Sequence, residues 1–306
     1  MKNIGIAVIG SMTVDLVAEV KNFPQCGQTL IGTGFTLVSG GKGSNQAVMA
    51  ANMGIHTKMI GCVGDDFFGH VILSSLQSHH VNVENVKILS NQSTGVAHIR
   101  VDENGNNDIV MIPMANLQTN QSHVDEFFSQ NPDCNVLLLQ LEIPVETVYY
   151  AAKRAKSLQL KVVLDPAPAM EIPADLYYYV DVMTPNEGEA SLLTGIEVTD
   201  IQSAERAAKV LRERGVATVI ITLGSKGVLL VDEKGTRHYA AFNVNPIDTT
   251  AAGDAFTGTL GVCMAKEMSM DDAVKYSMAA GALTVTKLGA QSSLPLVDEV
   301  ESLLIT

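Results

Sequence analysis

The sequence has 306 residues, 46% of them hydrophobic, and a formal net charge of −13 from 20 basic and 33 acidic side chains. This length allows one large α/β domain over residues 1–306, whereas the acidic balance and the lack of a basic run argue against nucleic-acid binding. No apolar run approaches the ~20 residues of a membrane-spanning helix, so we expect no membrane association.

The N-terminal part of the chain has the pattern of a buried strand, followed by those of strands with one solvent-exposed face. Residues 4–9 are a continuous apolar run, which predicts a buried strand and is too short for the core of a signal peptide. Alternating apolar and polar residues predict further strands at 13–20, 28–38, 94–101 and 108–113, the last two joined by an Asn-Gly turn. Because helices do not alternate with these strands, we expect a small β lid formed by residues of about 13–38 and 94–113.

The rest of the chain alternates strand and helix patterns, which predicts a mostly parallel sheet with helices on both faces. Strands are predicted at 136–143, 161–164, 180–183 and 218–222, followed by a hairpin over 228–232 and 237–242. Helices are predicted at 44–53, 145–158, 187–193, 204–214, 256–266 and 271–287. Ligands bind beyond the carboxyl ends of such strands, where the sequence places Ser11, Glu142, Asp165, Asn186 and Gly224.

The cysteines and histidines give no sign of a metal site. Cys26, Cys62, Cys134 and Cys263 are far apart and lack metal-ligand or redox spacing. They indicate reduced thiols, as in a cytoplasmic protein. The seven histidines show no metal-binding pattern either.

The stretch 248–256 has the composition of a phosphate socket at the start of a helix. Residues 248–250 suit a turn and a helix N-cap, and Gly253 could adopt a backbone conformation closed to other residues. Asp254 would lie beside the anion and take the proton from an attacking hydroxyl. The plainer alternative is a capped helix start in which Asp254 favours the helix dipole. The N–H groups of the socket would come from the small residues Ala251, Ala252 and Gly253.

A glycine-rich loop, Gly40-Gly41-Lys42-Gly43-Ser44-Asn45, leads into a helix and lacks both the P-loop and the dinucleotide-binding spacing. Its chemistry suits a polyol or an anion, because Lys42 supplies a charge and Asn45 both a donor and an acceptor. A bare turn is the alternative. Glu142 lies in an apolar stretch and would be costly to bury unpaired, so it is either a structural ion pair or a ligand contact.

Several motifs, taken in order, resemble the ribokinase family of carbohydrate kinases over essentially the whole chain. They are Gly10-Ser11 with Asp15, Gly40 to Asn45, Gly61 to Asp65, Pro185-Asn186 with Glu189, Thr222 to Gly227, Asp248 to Asp254 and Gly289 to Ser293. The resemblance implies a ribokinase-like three-layer α/β fold. It also implies that the lid covers a sugar and pairs with a second subunit, so we expect a homodimer through the lid.

The resemblance further implies roles for individual residues around the sugar. Asp254 would be the base, and the N–H groups of residues 251–253 would stabilise the transferred phosphoryl group. Thr13 departs from the family pattern, which usually has Asn here, and offers one hydroxyl and a methyl group in place of an amide. The sugar contacts implied are Thr13, Asp15, Gly41, Lys42, Gly43, Asn45, Glu142 and Asp254. For Glu142 the resemblance also allows support of the lid as the alternative role.

The same resemblance implies ATP, Mg²⁺ and K⁺. Asn186 and Glu189 would lie near the phosphates and act on magnesium through water. The nucleotide would also contact Thr222, Leu223, Gly224, Ser225, Lys226, Gly227 and Gly253. Potassium would bind mostly backbone oxygens and hold the socket in shape, although Gly289 could be a plain helix C-cap. The cation positions implied are Asp248, Thr250, Thr284, Lys287, Gly289 and Ser293.

We therefore expect an ATP-dependent sugar kinase that converts a pentose, D-ribose, to D-ribose 5-phosphate. The acceptor could instead be 2-deoxyribose, another sugar or a nucleoside. A sugar- or nucleotide-binding regulator without turnover is a further alternative, against which the intact Asp254 argues. A dinucleotide-dependent oxidoreductase is a more distant alternative, because the sequence lacks the glycine fingerprint of that class.

Overall fold

The computed structural model describes residues 4–130 and 133–305, and thirteen strands of that part form two sheets. In chain order the strands are β1 (Ile6–Ile9), β2 (Thr13–Glu19), β3 (Gly34–Gly40), β4 (Thr57–Gly64), β5 (Asn82–Leu89), β6 (Gly95–Val101), β7 (Asn107–Ile112), β8 (Val136–Leu139), β9 (Lys161–Leu164), β10 (Val182–Met183), β11 (Thr218–Thr222), β12 (Val228–Asp232) and β13 (Gly235–Tyr239). The main sheet has the order β13-β12-β11-β10-β9-β8-β1-β4-β5. Its strands from β11 to β5 run parallel, and β12 and β13 form an antiparallel edge.

Helices cover both faces of the main sheet. They are α1 (Lys42–Asn52), α2 (Phe67–Ser78), α3 (Gln121–Ser129), α4 (Val145–Ser157), α5 (Glu187–Thr194), α6 (Ile201–Glu213), α7 (Ala252–Ala265), α8 (Met270–Thr284) and α9 (Val297–Ile305). One core contains side chains of α1, α2, α7, α8 and α9, and the other contains those of α3 to α6. Strand β1 contributes Ile6 and Val8 to the first core and Ala7 and Ile9 to the second. Because both faces are covered, the central parallel strands β1 and β8 are apolar throughout, as their short continuous runs predicted.

The lid is a separate sheet of β2, β3, β6 and β7 in the order β3-β2-β6-β7. Strands β2 and β6 pair in parallel, and each pairs antiparallel with its outer neighbour. Asn116 fixes the lid to the core, since its Oδ1 accepts from Met12 N and its Nδ2 donates to the carbonyls of Met12 and Pro113. The predicted small β lid is therefore confirmed, and its first strand begins at Thr13.

The structure moves several element bounds. The second lid strand begins at Gly34 rather than at 28, the strand after residue 136 ends at Leu139, and the last hairpin strand is Gly235–Tyr239 rather than 237–242. Pattern alone starts β3 too early, ends β8 too late and shifts β13 toward the C-terminus, because apolar residues continue beyond the ladder hydrogen bonds. Strands β4 and β5 and helices α2, α3 and α9 were not predicted from the pattern. No helix of the part that the structure describes is long and apolar enough to cross a membrane.

Candidate active site

A cavity of about 180 Å³ opens beyond the carboxyl ends of β9, β10 and β11. Asp165 follows β9, Thr184 follows β10 and Thr222 ends β11, and the start of α7 closes the opposite side. The cavity is lined by Lys42, Asp165, Ala167, Thr184, Asn186, Glu189, Thr222, Thr249, Ala251, Gly253, Asp254, Phe256 and Thr257. It thus joins predicted site residues from five separate parts of the chain. Another cavity, of about 210 Å³ beside His123, contains none of them.

Helix α7 begins at Ala252 without a side-chain cap. The prediction that residues 248–250 cap this helix was wrong, because Asp248 instead accepts hydrogen bonds from Thr250 and from the N–H of Gly289. The left-handed backbone lies at Ala251, with φ 61°, and not at Gly253. Gly253 leaves room instead, since a Cβ built there would meet nothing within 4 Å. The first N–H groups of α7 therefore border open space beside Asp254, as an anion socket requires.

Two glycines bring the start of α1 against the end of β1. Gly41 has φ 94°, and a Cβ there would lie 2.8 Å from the backbone nitrogen of Thr13. A Cβ on Gly43 would lie 2.6 Å from the backbone nitrogen of Ser11. Lys42 between them is the first residue of the helix. The glycine-rich loop thus makes a close backbone contact that a side chain at position 41 or 43 would prevent.

Two side chains of α1 hold the carboxylate of Asp254. Asn45 Nδ2 donates to its Oδ2 over 2.9 Å, and Gln46 Nε2 donates to its Oδ1 over 3.2 Å. Gln46 also donates to Oδ2 of Asp165 over 2.9 Å. Sequence reasoning did not include Gln46 in the site, and it placed Asp165 at a strand end without a role. The available signal was position: Gln46 follows Asn45, and Asp165 follows a buried strand.

Lys42 lies among several carboxylates. Burial alone would lower the pKa of Lys42, but the charges of Asp254, Asp165, Glu142 and Glu189 outweigh burial and raise it above its usual value. Burial raises the pKa of Glu142, and it raises that of Asp165 well above its ordinary range. Lys42 therefore keeps its positive charge at neutral pH.

Glu142 is hydrogen-bonded to the glycine-rich loop, and it forms no ion pair with a basic side chain among the described residues. Its Oε2 accepts from Ser11 Oγ over 2.5 Å and from the backbone N–H of Lys42 over 3.1 Å. Ser11 Oγ in turn accepts from the N–H of Gly43 over 3.3 Å. Of the two alternatives from the sequence, the structural ion pair is thus replaced by hydrogen bonds that support the loop.

Asp15 lies on the lid side of the site, outside the 180 Å³ cavity. Its strand β2 pairs with β3, which places Thr13 opposite Gly40, and a Cβ on Gly40 would collide with the Asp15 carboxylate. Thr13 Oγ1 donates to Oδ1 of Asp15 over 3.3 Å. Burial raises the pKa of Asp15 to about 6, the bond from Thr13 opposes the rise, and the charges of Glu142 and Asp254 add to it.

The predicted nucleotide residues meet at the end of β11. Asn186 and Glu189 form a reciprocal capping box at the start of α5, and Asn186 bridges to Thr222. Leu223 is buried in the core, and Nζ of Lys226 donates to the carbonyl of Thr199 over 2.8 Å. The turn 224–227 therefore offers a ligand its backbone and Ser225, because the side chains of Leu223 and Lys226 are engaged elsewhere.

The predicted cation positions also come together. Oδ2 of Asp248 accepts from Gly289 N over 2.9 Å, and the backbone nitrogens of Ile247 and Asp248 donate to the carbonyl of Val285. Thr284 O accepts from Lys287 N, and Ser293 Oγ donates to Ala290 O. Nζ of Lys287 pairs with Glu299, so only its backbone could face a cation. Over residues 4–130 and 133–305, no group of three or more His, Cys, Asp or Glu side chains is arranged to hold a metal ion.

Comparisons with known proteins agree with this geometry. A family model described as pfkB family carbohydrate kinase matches residues 3–296. The chain is 40% identical to the ribokinase of Haemophilus influenzae over 294 residues, 96% of each protein. It is 36% identical to a deoxyribokinase of Salmonella typhi over 295 residues, again 96% of each. The solved structure of Arabidopsis thaliana ribokinase complexed with ribose and ATP is 30% identical, with a TM-score of 0.92 over 99% of each chain.

Proposed function

The chain belongs to the pfkB family of carbohydrate kinases, and on that premise we propose that it transfers the terminal phosphoryl group of ATP to the primary hydroxyl of D-ribose. The products are D-ribose 5-phosphate and ADP. The observation that carries the proposal is the carboxylate of Asp254, which lies in the first turn of α7, lines the same cavity as Lys42 and is held by amides of α1. The relatives named ribokinase and the structural similarity to a ribose complex support ribose as the acceptor.

In this reaction the sugar oxygen bonds to the terminal phosphorus while the bond to the leaving ADP oxygen breaks. Asp254 takes the hydroxyl proton, so the attacking oxygen becomes a better nucleophile. The N–H groups of residues 251–253 and the ammonium of Lys42 stabilise charge on the transferred phosphoryl group. Asp15, Asn45 and Glu142 orient the sugar, because carboxylate and amide oxygens accept hydroxyl donors.

The oxygen groups present suit both metal ions. Asn186 and Glu189 bond each other through the capping box, and their remaining lone pairs suit waters of a magnesium ion, which keeps much of its hydration shell. When bound, magnesium supplies positive charge that neutralises the phosphates. For potassium, Asp248, Thr250, Thr284, Lys287, Gly289 and Ser293 would offer mostly backbone oxygens behind the phosphate socket.

A kinase for 2-deoxyribose is the second candidate, and Thr13 favours it. Thr13 is buried, and its hydroxyl is directed to Asp15, while its methyl group tolerates a deoxy carbon. A relative named deoxyribokinase, at 36% identity, adds support. We therefore propose that ribose is accepted with weak discrimination against 2-deoxyribose.

The lid supports a homodimer. Exposed apolar side chains on its strands include Phe35, Val110 and Ile112 on one face and Ile109 on the other, and exposed apolar side chains on a sheet are typical of a pairing face. We treat residues 1–306 as a single domain in which the lid is inserted. The free cysteines of the described residues and the use of ATP fit a cytoplasmic enzyme.

A substrate panel tests the function. Purified protein with ATP, magnesium and potassium should phosphorylate D-ribose, with 2-deoxyribose second and other sugars and nucleosides far behind, as measured by ADP release and product mass. Turnover of a different acceptor alone would overturn the ribose assignment. Sugar or nucleotide binding without any turnover would indicate the regulator instead.

A further inference from the structure

A buried glutamine bridges two carboxylates at the bottom of the site. Gln46 lies on α1 and is fully buried. Its Nε2 donates to Oδ2 of Asp165 over 2.9 Å and to Oδ1 of Asp254 over 3.2 Å. A side-chain amide has two N–H groups, so both are used between the carboxylates.

Gln140, which follows β8, sets the orientation of this amide. Its Nε2 donates to Oε1 of Gln46 over 2.6 Å, and Gln140 is fully buried as well. A reversed Gln46 would place its oxygen against two carboxylates, and its N–H groups against those of Gln140. Gly10 makes the arrangement possible, because a Cβ there would collide with Oε1 of Gln140. The amide is therefore locked by residues that follow β1 and β8.

Asn45 and Gln46 hold different oxygens of the same carboxylate. A carboxylate bonded at one oxygen can still rotate about its Cβ–Cγ bond, whereas bonds to both oxygens fix its plane. Proton transfer needs a defined lone pair within hydrogen-bond reach of the hydroxyl. The plane of the Asp254 carboxylate is thus set by two consecutive residues of α1.

We propose that Gln46 is a positioning residue for phosphoryl transfer: its locked amide fixes the plane of the Asp254 carboxylate and keeps the Asp165 carboxylate apart from it. This inference rests on the proposed function and assigns a role to a residue that acts only through Asp254. Without the amide, the two carboxylates would approach each other, and like charges at short range disfavour two ionised groups.

The first test replaces Gln46 by Met, which has a similar volume and no donor. We expect kcat to fall by about 10- to 100-fold, because small misplacements of reacting groups can cost about that much, while KM for the sugar and for ATP stays near that of the wild type. Thr259→Val is the matched control. It lies on α7 like Asp254, its buried hydroxyl has no partner among the described residues, and it should leave both constants unchanged. A folded Gln46→Met with wild-type kcat overturns the proposal.

The second test, Gln46→Glu, keeps the shape of the side chain and remains informative if Gln46→Met does not fold. The new carboxyl can donate only when protonated, and it faces Asp165 after β9 and Asp254 on α7. The charges of Lys42 on α1, Glu142 after β8 and Glu189 on α5 act on Asp165 in the same cluster. Its kcat should therefore fall with rising pH through a range in which the wild type changes little. A purely structural role predicts parallel pH profiles, and parallel profiles would contradict the inference.

Crystal structures of the wild type and of Gln46→Met provide a test that does not depend on enzymatic activity. We expect the Asp254 carboxylate to rotate away from its wild-type plane, and an unchanged plane overturns the inference. If the wild type phosphorylates no sugar, the proposed function fails while this structural comparison still decides whether Gln46 positions Asp254. If the wild type is active and both Gln46 variants equal it, the inference fails and the proposed function stands.

Discussion

Asn45 Nδ2 lies 2.9 Å from Oδ2 of Asp254, and this bond joins the start of α1 to the start of α7. Oδ1 of Asn45 is buried and has no partner among the described residues. A sugar hydroxyl that donates to this oxygen would therefore lie next to the carboxylate of Asp254. One side chain can thus couple sugar recognition to the orientation of the base.

The raised pKa of Asp15 predicts a pH dependence of sugar capture. Below about pH 6 the carboxyl is protonated and accepts hydroxyl donors poorly, so kcat/KM for ribose should fall as pH drops through this value. Asp15→Asn should remove this fall of kcat/KM at low pH. It should also lower kcat/KM at pH 8 by ~10-fold or more, since hydrogen bonds to a charged group contribute about 1.5–3 kcal/mol. Profiles from pH 5 to 8.5 check this. If kcat/KM falls at low pH with the same midpoint in both proteins, the fall is caused by another group.

The cation positions predict activation by potassium. Burial alone would raise the pKa of Asp248, but hydrogen bonds from Thr250 and Gly289 hold it below its usual value, so the carboxylate is ionised at neutral pH. We expect kcat/KM in potassium to exceed that in choline by ~5-fold or more at matched ionic strength, the lower end of typical coupling energies. In Asp248→Ala, kcat/KM should be the same in potassium and in choline. Equal rates of the wild type in both salts would refute the site.

The lid predicts a dimer of about twice the chain mass of 32.6 kDa. Ile109 and Val110 are adjacent on β7 and exposed, and they point to opposite faces of the lid. Ile109→Lys and Val110→Lys are therefore controls for each other, because only the variant on the pairing face should give monomers. Light scattering at micromolar protein measures this. A wild type that is monomeric under these conditions would remove the proposal.

Thr13 predicts how the enzyme separates ribose from 2-deoxyribose. The Thr13 hydroxyl donates to Asp15, whereas the longer amide of Asn could reach a sugar hydroxyl. Thr13→Asn should sharpen the preference for ribose by about 1–2 kcal/mol, the contribution of one hydrogen bond. The measurement is kcat/KM for both sugars in both proteins. An unchanged ratio would mean that residue 13 does not contact the 2-hydroxyl.

The parts of the site that could be predicted from the sequence are those in which backbone geometry demands small residues. Glycines at 41 and 43 mark close approaches of the backbone, and Gly253 leaves open space for a ligand, so Lys42 and Asp254 could be placed beside them. The fold was predictable because buried parallel strands such as β8, β9 and β11 each contain a short unbroken apolar run. Strand β4, with Lys58 and glycines at 61 and 64, does not have such a run.

The remainder of the site depends on contacts between distant parts of the chain. Gln46 and Asp165 are 119 residues apart, and nothing local shows that they share a hydrogen bond. The sequence allows Gly253 a backbone conformation closed to other residues, yet it is Ala251 that has a positive φ, of 61°. Leu223 and Lys226 lie in a motif that resembles the nucleotide-binding segment of the family. In the structure, however, the side chain of Leu223 packs in the core, and Nζ of Lys226 donates to the carbonyl of Thr199.

The central claim, that Asp254 is the base of an ATP-dependent ribose kinase, is tested most directly by kcat of Asp254→Asn with ribose and ATP. The oxygen of an amide at this position can replace only one carboxylate oxygen, and its NH2 group would meet a donor of Asn45 or Gln46. Asp254→Ala, which removes the base without introducing that conflict, is therefore measured beside it. Both variants should bind ribose in calorimetry and lose ~10²–10⁴-fold in kcat, the usual contribution of general-base catalysis. A kcat within about tenfold of the wild type in either folded variant would contradict the assignment.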